Sequence, residues 1–139
     1  MTQKEVSQYY WLCREIELDE ERLEELKQAA RGLQSPSMSG MPRGSEVSSK
    51  VERYAVEITD LEAIIAAKRL QCIHERNRIE RFIADIPDSM TRMIFTLRAI
   101  NCLTWRQVSQ KMGPNMSEDN AKQTFSRYLR STQGEQKTQ

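Results

Sequence analysis

Two stretches of this chain repeat apolar residues at alternating steps of three and four. Tyr9, Leu12, Ile16, Asp19, Leu23, Leu26, Ala30 and Leu33 form the first series. Val51, Tyr54, Ile58, Leu61, Ile65, Lys68, Cys72, Glu75, Ile79 and Phe82 form the second. A helix of 3.6 residues per turn gathers such a series into one narrow stripe, and a narrow stripe needs a facing helix to cover it. Each stretch therefore predicts a long helix with a coiled-coil-like seam, roughly 45 Å and 55 Å long at about 1.5 Å per residue. Asp19, Lys68 and Glu75 interrupt the seams, which predicts local fraying, a solvent-open layer or an interhelical ion pair that sets register.

Residues 34–46, QSPSMSGMPRGSE, hold two prolines, two glycines and four serines. Such a run breaks a helix and has too few apolar groups to fold alone. As a loop it lets the two helices turn back on each other as an antiparallel hairpin. Arg43 within it is either a phosphate contact or an incidental charge at a loop tip.

Asp85-Ile86-Pro87-Asp88 ends the second helix, with Pro87 in the first turn of the next and Asp88 favouring its dipole. Helices are then predicted over 88–100, 105–112 and 118–130. Met90, Met93, Ile94, Leu97 and Ile100 form the inward stripe of the first of these, with Arg92 and Arg98 facing away. Thr104 and Gln107 form a T-x-x-Q capping box, and Trp105, Val108 and Met112 recur at helical spacing, Trp105 as core anchor. Gly113 suits a left-handed C′ position, and Pro114 forbids continuation. Ser117 is a second N-cap, followed by Glu118 and Asp119 where the dipole favours acids. Ala121, Phe125, Tyr128 and Leu129 point inward on the last helix.

Two short capped helices around a tight break are the pattern of a helix-turn-helix, whose second helix enters a DNA major groove while the first braces it. The outward face of the second helix carries suitable chemistry. Asn120, Gln123 and Arg127 are candidates for base edges, because Asn and Gln pair bidentately with adenine and Arg with guanine. Arg106, Lys111, Lys122 and Arg130 are candidates for phosphate.

Net charge is only +1, yet residues 88–139 hold eight basic against four acidic groups, and residues 1–42 five against eight. The positive excess therefore falls on the segment expected to touch double-stranded DNA. The apolar share of 38% beside 29% charged residues suits long helices, and no β-branched residues alternate at period two. The predicted fold class is all-α: a long antiparallel helical hairpin over 1–86, a three-helix helix-turn-helix domain over 87–131, and a disordered tail over 132–139.

Cys13, Cys72 and Cys102 form no C-x-x-C pair, and His74 is the sole histidine. No metal site, cofactor or histidine-based catalysis is expected from that set. Carboxylate pairs, a Gly-rich phosphate loop and a nucleophile beside a base are also absent from the pattern, so an enzyme is not expected. Unpaired thiols, no signal peptide and no long apolar run predict a reducing, cytoplasmic, soluble protein with no membrane partner. Tyr10, Trp11, Val47, Leu70 and Ile73 lie outside the seams. As exposed apolar groups they predict a homo-oligomer, a dimer favoured, with Tyr10, Trp11, Leu70 and Ile73 at its interface.

The run RMIFTLRAINCLTWRQVSQKMG, with Ser117 and Ala121 after it, resembles the helix-turn-helix of sigma-factor region 4. Over residues 8–130 the chain is similar to the RinA-type and ArpU-type regulators of Gram-positive prophages. They share the element Ser39-Gly40-Met41-Pro42-Arg43-Gly44-Ser45 and the segment from Leu97-Arg98-Ala99-Ile100 through Leu103-Thr104-Trp105 to Val108. The turn Pro114-Asn115-Met116 is about two residues longer than the sigma-like G-x-S pattern. The resemblance implies a phage-encoded, sequence-specific transcriptional regulator, an activator of late or packaging genes, with RNA polymerase as a further partner. Two alternatives stay open: a small terminase subunit binding phage DNA for packaging, and an interaction protein that grips RNA polymerase or a repressor without touching DNA.

Overall fold

A computed structural model describes residues 1–34 and 44–137. The fold is all-α, with no strand among the described residues. Helix α1 spans Gln3–Gln34 and α2 spans Gly44–Ala84. Helix α3, Ser89–Phe95, runs into a π-helical turn, Thr96–Ile100. Helix α4 covers Trp105–Met112 and α5 covers Glu118–Lys137. The expectations for Arg43 and for most of the 39–45 element fall on residues outside those described, as does the Val47 side chain.

The chain divides into two compact units, and not at the expected boundary after residue 86. One unit is Arg14–Gln71; the other joins Met1–Cys13 to Cys72–Gln139. Burial explains the division. Val6 and Tyr9 of α1, with Ile79 and Ile83 of α2 and Ile86 after it, share one core with Ile94, Phe95, Val108, Ala121, Phe125 and Leu129. Three short helices bury too little apolar surface to stand alone, so the ends of the long helices complete the core.

In the Arg14–Gln71 unit the two helices run antiparallel, with Ile16, Leu61 and Ile65 buried along the seam. Two of the polar interruptions answer each other there. Lys68 Nζ lies 2.5 Å from Asp19 Oδ2 and 3.0 Å from Glu15 Oε1, and these hydrogen bonds raise its pKa. Arg69 pairs with Glu20, and Lys27 lies 3.9 Å from Glu62. At this exposure such pairs add little stability. The third interruption, Glu75, belongs to the other unit. It accepts from Arg78, which also donates to Glu5 of α1 at 2.9 Å.

The approach to the short helices departs from expectation in four places. Pro87 precedes the helix rather than opening its first turn, and Asp88 is the N-cap. Its Oδ2 accepts from the Thr91 amide at 2.9 Å and from the Thr91 hydroxyl at 2.6 Å, which holds the carboxyl below the usual range. The buried face of α3 is Thr91, Ile94 and Phe95, continued by Ala99, while Met90 and Met93 stay exposed. The face is rotated because Phe95 stacks on Phe125, centroids 4.4 Å apart, and that ring contact outweighs the flexible methionines. Arg92 and Arg98 do not face away. Arg92 Nη1 donates to the carbonyls of Ile86 and Pro87, and Arg98 Nη1 donates to that of Leu103 at 2.8 Å.

At the far end, α5 runs to Lys137, beyond the expected stop at 130 and into the expected tail. The Ser131 and Thr132 hydroxyls donate to the carbonyls of Tyr128 and Leu129, and Gln133 reaches the carbonyl of Met1.

Candidate nucleic-acid interface

The helix pair α4 and α5 is built by local rules. Thr104 Oγ1 accepts from the Gln107 amide at 3.2 Å while the Gln107 side chain accepts from the Thr104 amide at 2.9 Å, closing the capping box. Val108 is fully buried and Trp105 partly so, its ring meeting Phe125 edge-on at 5.3 Å. The Arg98 guanidinium lies over the ring of this anchor, 4.6 Å from its centroid. One arginine thus ties the π turn to the start of α4 by a cation–π contact and by its bond to Leu103.

Gly113 ends α4 at φ 109° and ψ 178°. This is positive φ as expected, but it lies in the extended mirror region rather than the left-handed helical one, and only glycine adopts it readily. The Met116 amide donates to the Gly113 carbonyl at 3.2 Å, and the Ser109 hydroxyl donates to the Met116 carbonyl at 3.0 Å. Ser109 therefore pins the long turn back onto α4, which accommodates the extra residues without loosening the helix pair. Ser117 Oγ then accepts from the Asn120 amide at 3.1 Å and opens α5.

Replacing Gly113 by alanine tests this geometry. No atom lies within 4 Å of where a Cβ would sit, so any cost is backbone strain alone. Urea unfolding of Gly113→Ala should show a loss of about 1–3 kcal/mol. A loss below a few tenths would mean that the turn adopts another conformation.

Ala121, Phe125 and Leu129 bury the inner side of α5, with Tyr128 at its border against Phe82 and Phe95. Asn120, Gln123, Arg127 and Arg130 then fall along the opposite side at helical spacing, and all four are exposed. Lys122 is exposed on the other border of that side, and Arg106 and Lys111 are exposed on α4. Among the described residues, no ion pair engages Arg106, Lys111, Lys122, Arg127 or Arg130. These five cations are presented to solvent without carboxylate partners. The acids Glu118 and Asp119 are exposed in the first turn of the same helix.

No family model, curated protein or solved structure matches this chain. The residues themselves therefore carry whatever is said of its function.

The residues expected at an oligomer interface are solvent-facing in each unit: Trp11 63%, Leu70 57%, Ile73 55% and Tyr10 38% exposed. Tyr10 and Trp11 also line a cavity of about 300 Å³ with Arg98, Trp105 and Phe125. Among the described residues no cluster of three His, Cys, Asp or Glu side chains is arranged to hold a metal ion. No described helix is long and apolar enough to cross a membrane.

Sequence reasoning missed Arg98 as a brace, Ser109 as a tether and Phe95 as the ring at the centre of the unit. Only Phe95 had a visible signal, a lone aromatic beside Ile94. The roles of the other two depend on carbonyl groups whose positions no spacing rule supplies.

Proposed function

We propose that this chain is a sequence-specific, double-stranded DNA-binding transcriptional regulator of the RinA and ArpU type, encoded by a phage or prophage and activating late or packaging genes. The observation that carries this reading is the outer side of α5. It is exposed, polar and free of carboxylate pairing above a helix pair held by two caps and a tethered turn. On α2, by contrast, Arg76 pairs with Glu80 one turn away.

Helix α5 enters the major groove, with Asn120, Gln123 and Arg127 at base edges. Lys122 and Arg130 flank it towards phosphate, and Arg106 and Lys111 brace α4 across the backbone. Asp119 in the same strip is an acceptor for a cytosine amino group, the one base-edge donor that acids read well. Two copies pair through the exposed apolar groups Tyr10, Trp11, Leu70 and Ile73. Pairing doubles the basic excess of residues 88–139 and sets the spacing of two half-sites.

Selection of bound fragments from a phage genome at physiological salt tests the proposal. One enriched motif with two related halves, and affinity falling steeply with added salt, is the expected result. Recovery of no fragment above background would leave the interaction-protein alternative. Sedimentation as rings of eight or more would favour the terminase alternative, and a monomer at tens of micromolar would remove the dimer.

A further inference from the structure

The thiols of Cys13 on α1 and Cys72 on α2 meet with their Sγ atoms 3.4 Å apart, although 59 positions separate them in the chain. Both are half-buried against the edge of the main core, so solvent reaches them. A disulfide brings two sulfurs to about 2.0 Å, a further approach of roughly 1.4 Å, of the size that side-chain torsions supply.

Their place in the chain gives this meeting a consequence. The chain leaves one compact unit after Cys13 and re-enters it at Cys72. The first turns of α1 supply Val6 and Tyr9 to the core beneath the helix-turn-helix, yet their covalent link to the rest of that unit runs only through residues 14–71. A covalent bond at this point would close the unit on itself.

We propose that Cys13 and Cys72 form a reversible intrachain disulfide by exchange with a low-molecular-weight disulfide such as oxidised glutathione. The thiolate of one cysteine attacks a sulfur of the small disulfide, releasing one small thiolate and leaving a mixed disulfide. The second cysteine, giving up its proton, attacks the protein sulfur of that adduct and expels the second small thiol. Two protein thiols are oxidised by two electrons and one small disulfide is reduced to two thiols. Proximity favours this closure over a second adduct, because the resolving sulfur is already in contact.

The surroundings of Cys72 bear on the rate of this exchange. Burial, then the bond and charge of Cys13, push the Cys72 thiol up to about 11, with Cys102 adding to the effect and Arg76 opposing it. Cys72 therefore offers little thiolate at neutral pH, and attack through it is slow.

The test uses the full chain with millimolar oxidised glutathione, followed by alkylation, digestion and peptide mass mapping. Free thiols should fall from the three in the sequence to one. The Cys13 and Cys72 peptides should be joined with the loss of two hydrogens. Melting temperature should rise by about 5 °C or more, and reductant should reverse all three changes. Cys102→Ser should behave as the parent, and Cys13→Ser should show no rise on treatment. Should Cys13→Ser fail to fold, the parent's peptide map decides alone. Stable glutathione adducts on either residue, bonds between two chains, pairing through Cys102, or three thiols still titratable at equilibrium would each overturn the proposal.

Discussion

Phe125→Ala is expected to cost about 3–5 kcal/mol, the largest stability effect of any single change considered for this chain. Phe125 is only 2% exposed, stacked on Phe95 at 4.4 Å and 28° and met edge-on by Trp105 at 5.3 Å. Truncation removes the ring's own burial and leaves a void between two other aromatics, and rings that size do not collapse into each other without leaving their rotamers. A domain commonly holds about 5–15 kcal/mol in total, so this one change takes roughly a fifth of it or more. The damage should also reach α4, because the Trp105 ring packs against Phe125 and also carries Arg98. Urea unfolding followed by circular dichroism and tryptophan fluorescence measures it. Met93→Ala, on the exposed side of α3, is the contrast and should stay within about 0.5 kcal/mol. A Phe125→Ala cost near that of Met93→Ala would mean the core is centred elsewhere.

Arg127→Ala should weaken binding to the selected DNA site by about 1–3 kcal/mol, roughly five- to 150-fold, while leaving stability unchanged. Arg127 is exposed, its neighbours on the buried side are Phe125 and Leu129, and no carboxylate holds it. Its loss therefore opens no void and strands no buried charge. The informative quantity is the difference between specific and random duplex. A residue that reads a guanine edge loses affinity mostly on the specific site and relaxes discrimination at one base position. Lys122→Ala is the comparison, expected to weaken both duplexes alike and to lower the salt slope by about one. If Arg127→Ala follows the lysine pattern, Arg127 holds phosphate and base reading falls to Asn120 and Gln123. If neither variant moves binding at all, α5 does not face DNA.

Much of this architecture is readable along the chain because it rests on local chemistry. The 3-4 series over 9–33 and 51–82 lead to α1 and α2, since a period that long admits only a helix with a partner. Thr104, Gln107, Gly113 and Ser117 place α4 and the start of α5 to the residue, because caps satisfy amide groups that the adjacent turn leaves open. The exposed strip of α5 is legible for the same reason: once Ala121, Phe125 and Leu129 point inward, Asn120, Gln123 and Arg127 have one direction left.

The face of α3 was not legible. Met90, Met93 and Ile94 make as good a stripe on paper as Thr91, Ile94 and Phe95, and hydrophobicity alone cannot rank them. The ranking comes from Phe82, Phe125 and Tyr128, which gather around Phe95 from three other positions in the chain. The end of α5 was hidden for a related reason, since Gln133 bonds to the carbonyl of Met1 at the opposite terminus.

From its order of residues alone this chain specifies helices, their caps and the polar strip of the last one, because each depends on groups within a few positions of one another. Tertiary structure decides the rest: that Lys68 answers Asp19, that Arg98 covers Trp105, that Cys13 meets Cys72, and that the first turns of α1 belong with the helix-turn-helix. Those are encounters between distant segments. They are set by which surfaces bury most area together, a quantity that exists only once the helices have packed.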